Sequence, residues 1–201
     1  MKIYFDGDSW TRGNEIDEEH RLSKRFSGLV SEELGAEEYN ISRGGASNNR
    51  IVRQMLFDND ISQYDIAIIQ MVYPERSEFY SDKVKDWKTI TIADTPLVKW
   101  YRWEKRKKWL DKNGIDYEFW TQYYKNIYSE TYGCVHEEMC ATTIRNHCKV
   151  NNVKLILMSQ NYHSKIKFDL QLQVPKYPQT KRGHPTMEGH KLIAEDILRL
   201  I

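Results

Sequence analysis

The chain has 201 residues, with 30 Lys and Arg against 29 Asp and Glu and a formal net charge of +1. That length suits one sizeable domain and is tight for two. The balanced charge removes any global pull toward nucleic acid or an anionic membrane, and no apolar run is long enough to span a bilayer.

The predicted elements alternate between strand and helix. Residues 2–5 read as a buried strand that runs straight into Gly7-Asp8-Ser9-Trp10. A serine at the end of a first strand, where the chain turns into a helix, is well placed to be a nucleophile. Because the N-terminus reads as a core strand followed by a motif, no signal peptide is expected and the expected location is cytoplasmic. Phe26, Leu29, Val30 and Leu34 fall at helical spacing and predict a helix over 22–34, with Gly35 as its stop. A short strand at 38–41 leads into Ser42-Arg43-Gly44-Gly45-Ala46-Ser47. A second helix is predicted over 48–57. The continuous apolar run 66–72 is what a central parallel strand needs, since both its faces are covered.

Residues 73–122 break this rhythm and read as an insertion above the sheet. The stretch is too long and too rich in large side chains for a plain loop. It holds a short strand candidate at 89–92 and the basic, aromatic run 99–110, which contains Trp100, Trp103 and Trp109. That run suits either a glycan-facing lid or a basic helix that packs its tryptophans inward. Further helices and a strand are predicted over 127–149, 185–200 and 153–158, and a polar loop carrying Asn161 follows that strand. Cys134, Cys140 and Cys148 are odd in number and lack CxxC spacing, so reduced thiols are expected and no metal site.

Strands alternating with helices imply right-handed crossovers: a three-layer α/β/α, flavodoxin-like arrangement with a central parallel sheet. Ligands in such sheets bind beyond the carboxyl ends of the strands. Ser9, Gly44-Gly45, the segment 73–76 and Asn161 all follow strands, so four loops converge on one rim.

These blocks resemble the SGNH (GDSL-type) hydrolase family, in particular compact members found in phage and environmental genomes. Gly7-Asp8-Ser9-Trp10 resembles the first block, whose serine is the nucleophile. Gly44-Gly45-Ala46-Ser47-Asn48 resembles the second, whose glycine N–H helps form the oxyanion hole, a role that falls on Gly45. His184-Pro185, with Gly189-His190 beyond, resembles the last block, whose histidine is the general base. The likeness runs from end to end and treats 73–122 as the variable part of one 1–201 domain. It implies serine ester hydrolysis, often deacetylation of carbohydrates, without a cofactor. Release by lysis or association with a virion stays open alongside the cytoplasmic expectation.

Two positions depart from the family pattern. The asparagine of the third block is missing from Gln70-Met71-Val72-Tyr73-Pro74-Glu75-Arg76, and Lys181 stands where an aspartate normally precedes the histidine by three residues. A serine hydroxyl needs a base within reach, and the oxyanion needs preorganised donors. The backbone amides of Ser9 and Gly45 supply two; Asn48, Asn161 and Arg76 are candidate side-chain replacements for the missing donor. Asn48 equally suits a helix cap. Arg76 suits either a substrate anion or a pair with Glu78 or Asp8. Asp8, Trp10, Arg76 and Asn161 are candidate substrate-facing residues, with Asp8 also suited to brace the nucleophile turn. His184 alone also fits a helix-entry residue before a proline at the first helical position, and His190 reads as structural.

Three functions therefore compete. The first is an esterase or deacetylase using Ser9 and His184 on an acylated carbohydrate or small ester, with no nucleic-acid or membrane partner. The second is a catalytically degenerate module of the same fold with a binding or structural role. The third, a phosphate-binding flavodoxin-like protein, lacks a glycine-rich phosphate cradle.

Overall fold

The computed structural model describes residues 1–98, 103–161, 164–173 and 176–201. Along the chain run β1 (Lys2–Asp6), α1 (Ser9–Arg12), α2 (Arg21–Lys24), α3 (Phe26–Glu33), β2 (Glu37–Asn40) and α4 (Asn48–Arg53). There follow β3 (Ile66–Met71), β4 (Ser77–Ser81), β5 (Asp86–Ile90), α5 (Trp103–Lys112), α6 (Tyr117–Asn126) and α7 (Glu130–Val150). The chain ends with β6 (Lys154–Ser159), β7 (Leu170–Gln171) and α8 (Met187–Leu198). Five strands form one sheet in the order β2-β1-β3-β6-β7, all neighbours parallel. The α/β class and parallel sheet expected from the alternating pattern are therefore present.

Alternation along the strands builds two cores. Ile3, Phe5, Ile66, Ile68, Ile156 and Met158 face one side and pack with Phe26 and Val30 of α3 and Ile193 and Ile197 of α8. Tyr4, Ala67, Ile69, Met71 and Leu157 face the other and meet Ile51, Ala141, Ile144 and Cys148 of α4 and α7. Every residue of β3 is buried, which is why its sequence shows no polar alternation.

The predicted helix 22–34 is broken at Arg25, whose ψ of 151° is extended. The break brings α2 against α3 so closely that a Cβ on Gly28 would lie 1.9 Å from the Leu22 carbonyl oxygen. The predicted helix 48–57 changes from α to π geometry at Gln54. The last helix begins at Met187 with Thr186 as its cap, accepting from Gly189 N–H. Pro185 instead bridges antiparallel to Gln179, so the helix-entry reading of His184 is corrected: it sits on a loop before the cap.

In the 73–122 region, β4 and β5 pair as an antiparallel hairpin. Ile90, Leu110 and Ile115 form a small core under Phe79, Tyr117 and Trp120. The Tyr124 hydroxyl donates to the Glu75 and Ile90 carbonyls, and Arg53 of α4 grips Glu78 through two 3.0 Å bonds. Of the aromatic run, 99–102 lie outside the described residues. No helix among the described residues is long and apolar enough to cross a membrane.

Candidate active site

Parallel pairing puts the carboxyl ends of β1, β3 and β6 on one rim, and the turn after β1 is its centre. Gly7 is required there by space: a Cβ would lie 2.3 Å from Thr11 Oγ1 and 2.8 Å from Gln70 Cβ. Asp8 caps α1 by accepting from Trp10 N–H. It is nearly fully buried and also accepts from Gln70 Nε2 at 3.0 Å and Arg76 Nη1 at 2.7 Å. Below it, buried Asp6 holds Gly7 N–H at 2.8 Å and Arg50 Nη1 at 2.7 Å. Burial pushes the Asp6 carboxyl upward, and the Arg50 cation opposes that shift. These bonds fix the turn that presents half-buried Ser9.

The second loop is tied to the first. Arg43 N–H donates to the Gly7 carbonyl, and Ala46 N–H to that of Arg43. Gly45 adopts φ 75°, which favours glycine, and a Cβ there would meet only open space. Arg76 bonds the Ala46 carbonyl at 3.2 Å as well as Asp8, so the segment after β3 clamps both loops. Of the two partners weighed for Arg76, Asp8 is the one it takes; Glu78 belongs to Arg53. Among the described residues, no hydrogen bond engages the N–H of Ser9 or of Gly45.

Asn48 is buried and gives both ends of its amide to Val72: Nδ2 donates to the carbonyl at 3.0 Å, and Oδ1 accepts the N–H at 2.9 Å. It pins the end of β3 and is not turned toward a ligand, and the helix cap is Ser47 instead. Asn161 is likewise internal, donating to the buried Glu137 carboxylate at 3.0 Å. Trp10 is buried, and its indole N–H donates to the Gly183 carbonyl at 3.0 Å. Asp8, Trp10 and Asn161, expected to face substrate, and Asn48, expected as a candidate donor, are each bonded within the fold and brace it.

The Trp10 bond ties the Ser9 turn to the turn that precedes His184. Thr180 N–H donates to the His184 carbonyl at 2.7 Å and Gly183 N–H to that of Thr180 at 3.0 Å, forming a tight turn with Gly183 at φ 79°. Lys181 is exposed on it. His184 keeps 22% of its side chain exposed, and its Nδ1 lies 3.3 Å from Oε1 of Glu15. This is an ion-pair distance without an aligned hydrogen bond, since Nδ1 is otherwise unpartnered. Glu15 also accepts from the Thr180 hydroxyl and lies 3.6 Å from Arg182 Nε. The Thr180 hydroxyl, then His184 and Arg182, hold its carboxyl below the usual range. Glu15 has φ 71°, a left-handed conformation that few non-glycine residues adopt. Sequence reasoning missed it. It lies in the acidic run Glu15, Asp17, Glu18 and Glu19, which has the composition of a solvated loop.

His190 is fully buried beneath this turn, its Nδ1 accepting from Phe26 N–H at 3.2 Å. Desolvation, then the Arg25 and His184 charges, push it down to about 4. It is a neutral structural imidazole. Beside Gly45 a cavity of about 310 Å³ is lined by Arg43, Lys88, Thr91, Asp94, Arg106 and Trp109. Arg106 pairs with Asp94 at 2.5 Å and lies 3.9 Å over the Trp109 ring. Among the described residues, no cluster of His, Cys, Asp and Glu is placed to hold a metal ion.

No protein-family model matches the chain, and no curated protein does. Solved structures do. TesA is 10% identical with a TM-score of 0.55, covering 99% of this chain and 97% of its own. A GDSL-like lipase from Bacteroides thetaiotaomicron is 14% identical with a TM-score of 0.50, covering 99% and 86%. A carbohydrate esterase, described as displaying divergent catalytic and non-catalytic binding functions, is 12% identical with a TM-score of 0.54; this chain spans 64% of it. The chain has the SGNH-type hydrolase fold, as the sequence blocks implied.

Proposed function

We propose that this protein is a serine ester hydrolase acting on an acylated carbohydrate or small ester. The observation that carries this reading is the bond from Trp10 to the Gly183 carbonyl. It ties the residue after Ser9 to the residue before His184, across 173 positions of chain.

Ser9 Oγ attacks the acyl carbon and passes its proton to Nε2 of His184. The tetrahedral oxyanion is met by the unengaged N–H groups of Ser9 and Gly45. Collapse expels the alcohol, protonated by His184, and water repeats the sequence on the acyl-enzyme. The cavity beside Gly45 suits the alcohol portion: the face of the Trp109 ring opposite Arg106 suits a sugar, and Arg43 offers donors to its hydroxyls.

A non-catalytic binding module is the second reading, and one observation favours it. Among the described residues, the polar side chains around the end of β3 are bonded internally: Gln70 to Asp8 and Thr11, Asn48 to Val72, Arg76 to Asp8 and Ala46. Oxyanion stabilisation then rests on two backbone donors, where loss of one donor costs about 10²–10³ in rate.

Labelling with a fluorophosphonate followed by intact mass separates the two. The expected outcome is one adduct on wild type and none on Ser9→Ala. A folded wild type that takes no adduct ends the hydrolase reading.

A further inference from the structure

We infer that Glu15 is the positioning residue for His184, supplying from the nucleophile's own turn the carboxylate that the base turn lacks. The inference rests on the Ser9–His184 reading for its catalytic consequence and on geometry for its placement.

Position 181, three residues before the histidine, is an exposed lysine and offers no acceptor to the imidazole. The Glu15 carboxylate lies 3.3 Å from Nδ1. Glu15 is also held in place. One oxygen accepts from Thr180, at the start of the base turn, and Arg182, within that turn, flanks the other. Its left-handed backbone follows Gly13, itself left-handed at φ 77° as the C-cap of α1. The chain therefore reverses immediately after the nucleophile helix and brings Glu15 up to the base turn. Residues 9–15 thus carry the nucleophile, the indole that holds Gly183 and the carboxylate that faces His184.

The chemical consequence follows from the tautomer. A carboxylate 3.3 Å from Nδ1 favours the tautomer with the proton on Nδ1, which it accepts as a hydrogen bond once the pair closes, and this leaves Nε2 free to take the proton of Ser9. When the Ser9 O–H bond breaks and the Nε2–H bond forms, the imidazolium carries its positive charge beside a negative one. The proton then leaves with the alcohol, and the pair returns to its starting state. A glutamine at 15 reverses the local polarity, because its amide N–H donates to Nδ1 and favours the tautomer with Nε2 already protonated.

The test compares wild type, Glu15→Gln and Glu15→Asp in three readouts: hydrolysis of p-nitrophenyl acetate, rate of fluorophosphonate labelling, and the ¹⁵N shifts of His184. Glu15→Gln is expected to lower kcat by on the order of 10⁴-fold, as neutralising the acid does in serine proteases, with KM within about twofold. Labelling is expected to slow by a similar factor, and the His184 shifts to move from the Nδ1–H to the Nε2–H form. Glu15→Asp is expected to keep the Nδ1–H tautomer and regain at least about tenfold of the lost rate. A role confined to bracing the turn would move stability and KM and leave the tautomer unchanged. Full activity in Glu15→Gln, or an unchanged tautomer, overturns the inference while leaving Ser9 intact. An inert wild type whose tautomer still responds to Glu15→Gln removes the hydrolase reading and keeps the placement. If Glu15→Gln does not fold, the Asp variant decides: a lost Nδ1–H tautomer with retained activity overturns the inference.

Discussion

Arg76 shows how one side chain can join two loops at the rim of the sheet. Its guanidinium joins the Ser9 turn, through Asp8, to the glycine loop, through Ala46. Asp8 is 1% exposed and keeps its other bonds if the cation is removed, so the cost is that of leaving a buried carboxylate without its counter-charge. Breaking a buried pair typically costs 3–5 kcal/mol; with Arg76 itself 18% exposed, about 2 kcal/mol is expected for Arg76→Met in urea unfolding. Esterase activity should fall with it, because both loops that carry the proposed oxyanion donors, the Ser9 and Gly45 N–H groups, lose their clamp. Stability unchanged within error would show that Asp8 is held adequately by Gln70 and the α1 cap alone. Candidate roles such as those of Ser9, Gly45 and His184 were legible in the sequence because each lies in a short motif at a turn. Glu15 was not, since its role depends on φ 71° and on a turn 165 residues away.

At the scale of elements, the buried strands β1 and β3 and the long helix α7 announced themselves by apolar runs and helical spacing. The hairpin did not. Its turn, Asp82 to Lys85, contains neither glycine nor asparagine, and Lys85 takes the left-handed position itself at φ 51°, so no ordinary hairpin signal was present. β7 is two residues long and has no pattern to read. The junction of α8 with α3 yields a prediction with a definite sign. His190 accepts Phe26 N–H and has its folded value pushed down to about 4, against an ordinary 6.5, by burial first and by Arg25 and His184 next. Between those two values the unfolded chain binds the proton and the folded one does not. Stability is therefore fully present above about pH 6.5 and is lost as pH falls toward 4. At 1.36 kcal/mol per unit the loss is roughly 2 kcal/mol between about pH 7.5 and pH 5. His190→Gln retains an acceptor for Phe26 and cannot titrate, so the difference in unfolding free energy between these pH values should shrink by about that amount. An unaltered pH dependence in the variant would place the titration elsewhere.

The whole molecule is a sheet with two cores and, over 77–126, a hairpin and helices with a small core of their own. Ile90, Leu110 and Ile115 fill that small core, while the sheet's residues belong to the two larger clusters. Among the described residues, the ties between them include the Tyr124 bond to the Glu75 carbonyl and the Arg53–Glu78 pair, with ring contacts of Arg53 over Trp87 and of Tyr124 against Tyr128. A unit with a small apolar core of its own, apart from the two larger ones, should open on its own below the global unfolding limit. Ile90→Ala removes a fully buried side chain from the small core and should cost about 2–4 kcal/mol there. Native-state hydrogen exchange is the measure. Amides of β4 and β5 are expected to exchange on the order of 10²–10³ faster in the variant, with those of β1, β3 and β6 unaffected. Since Lys88, Thr91 and Arg106 of this region line the cavity beside Gly45, turnover of an acylated oligosaccharide should weaken through KM as the unit opens. Parallel loss of protection in β3 would instead mean that the hairpin and the sheet unfold as one, and that the site's outer wall is as rigid as its floor.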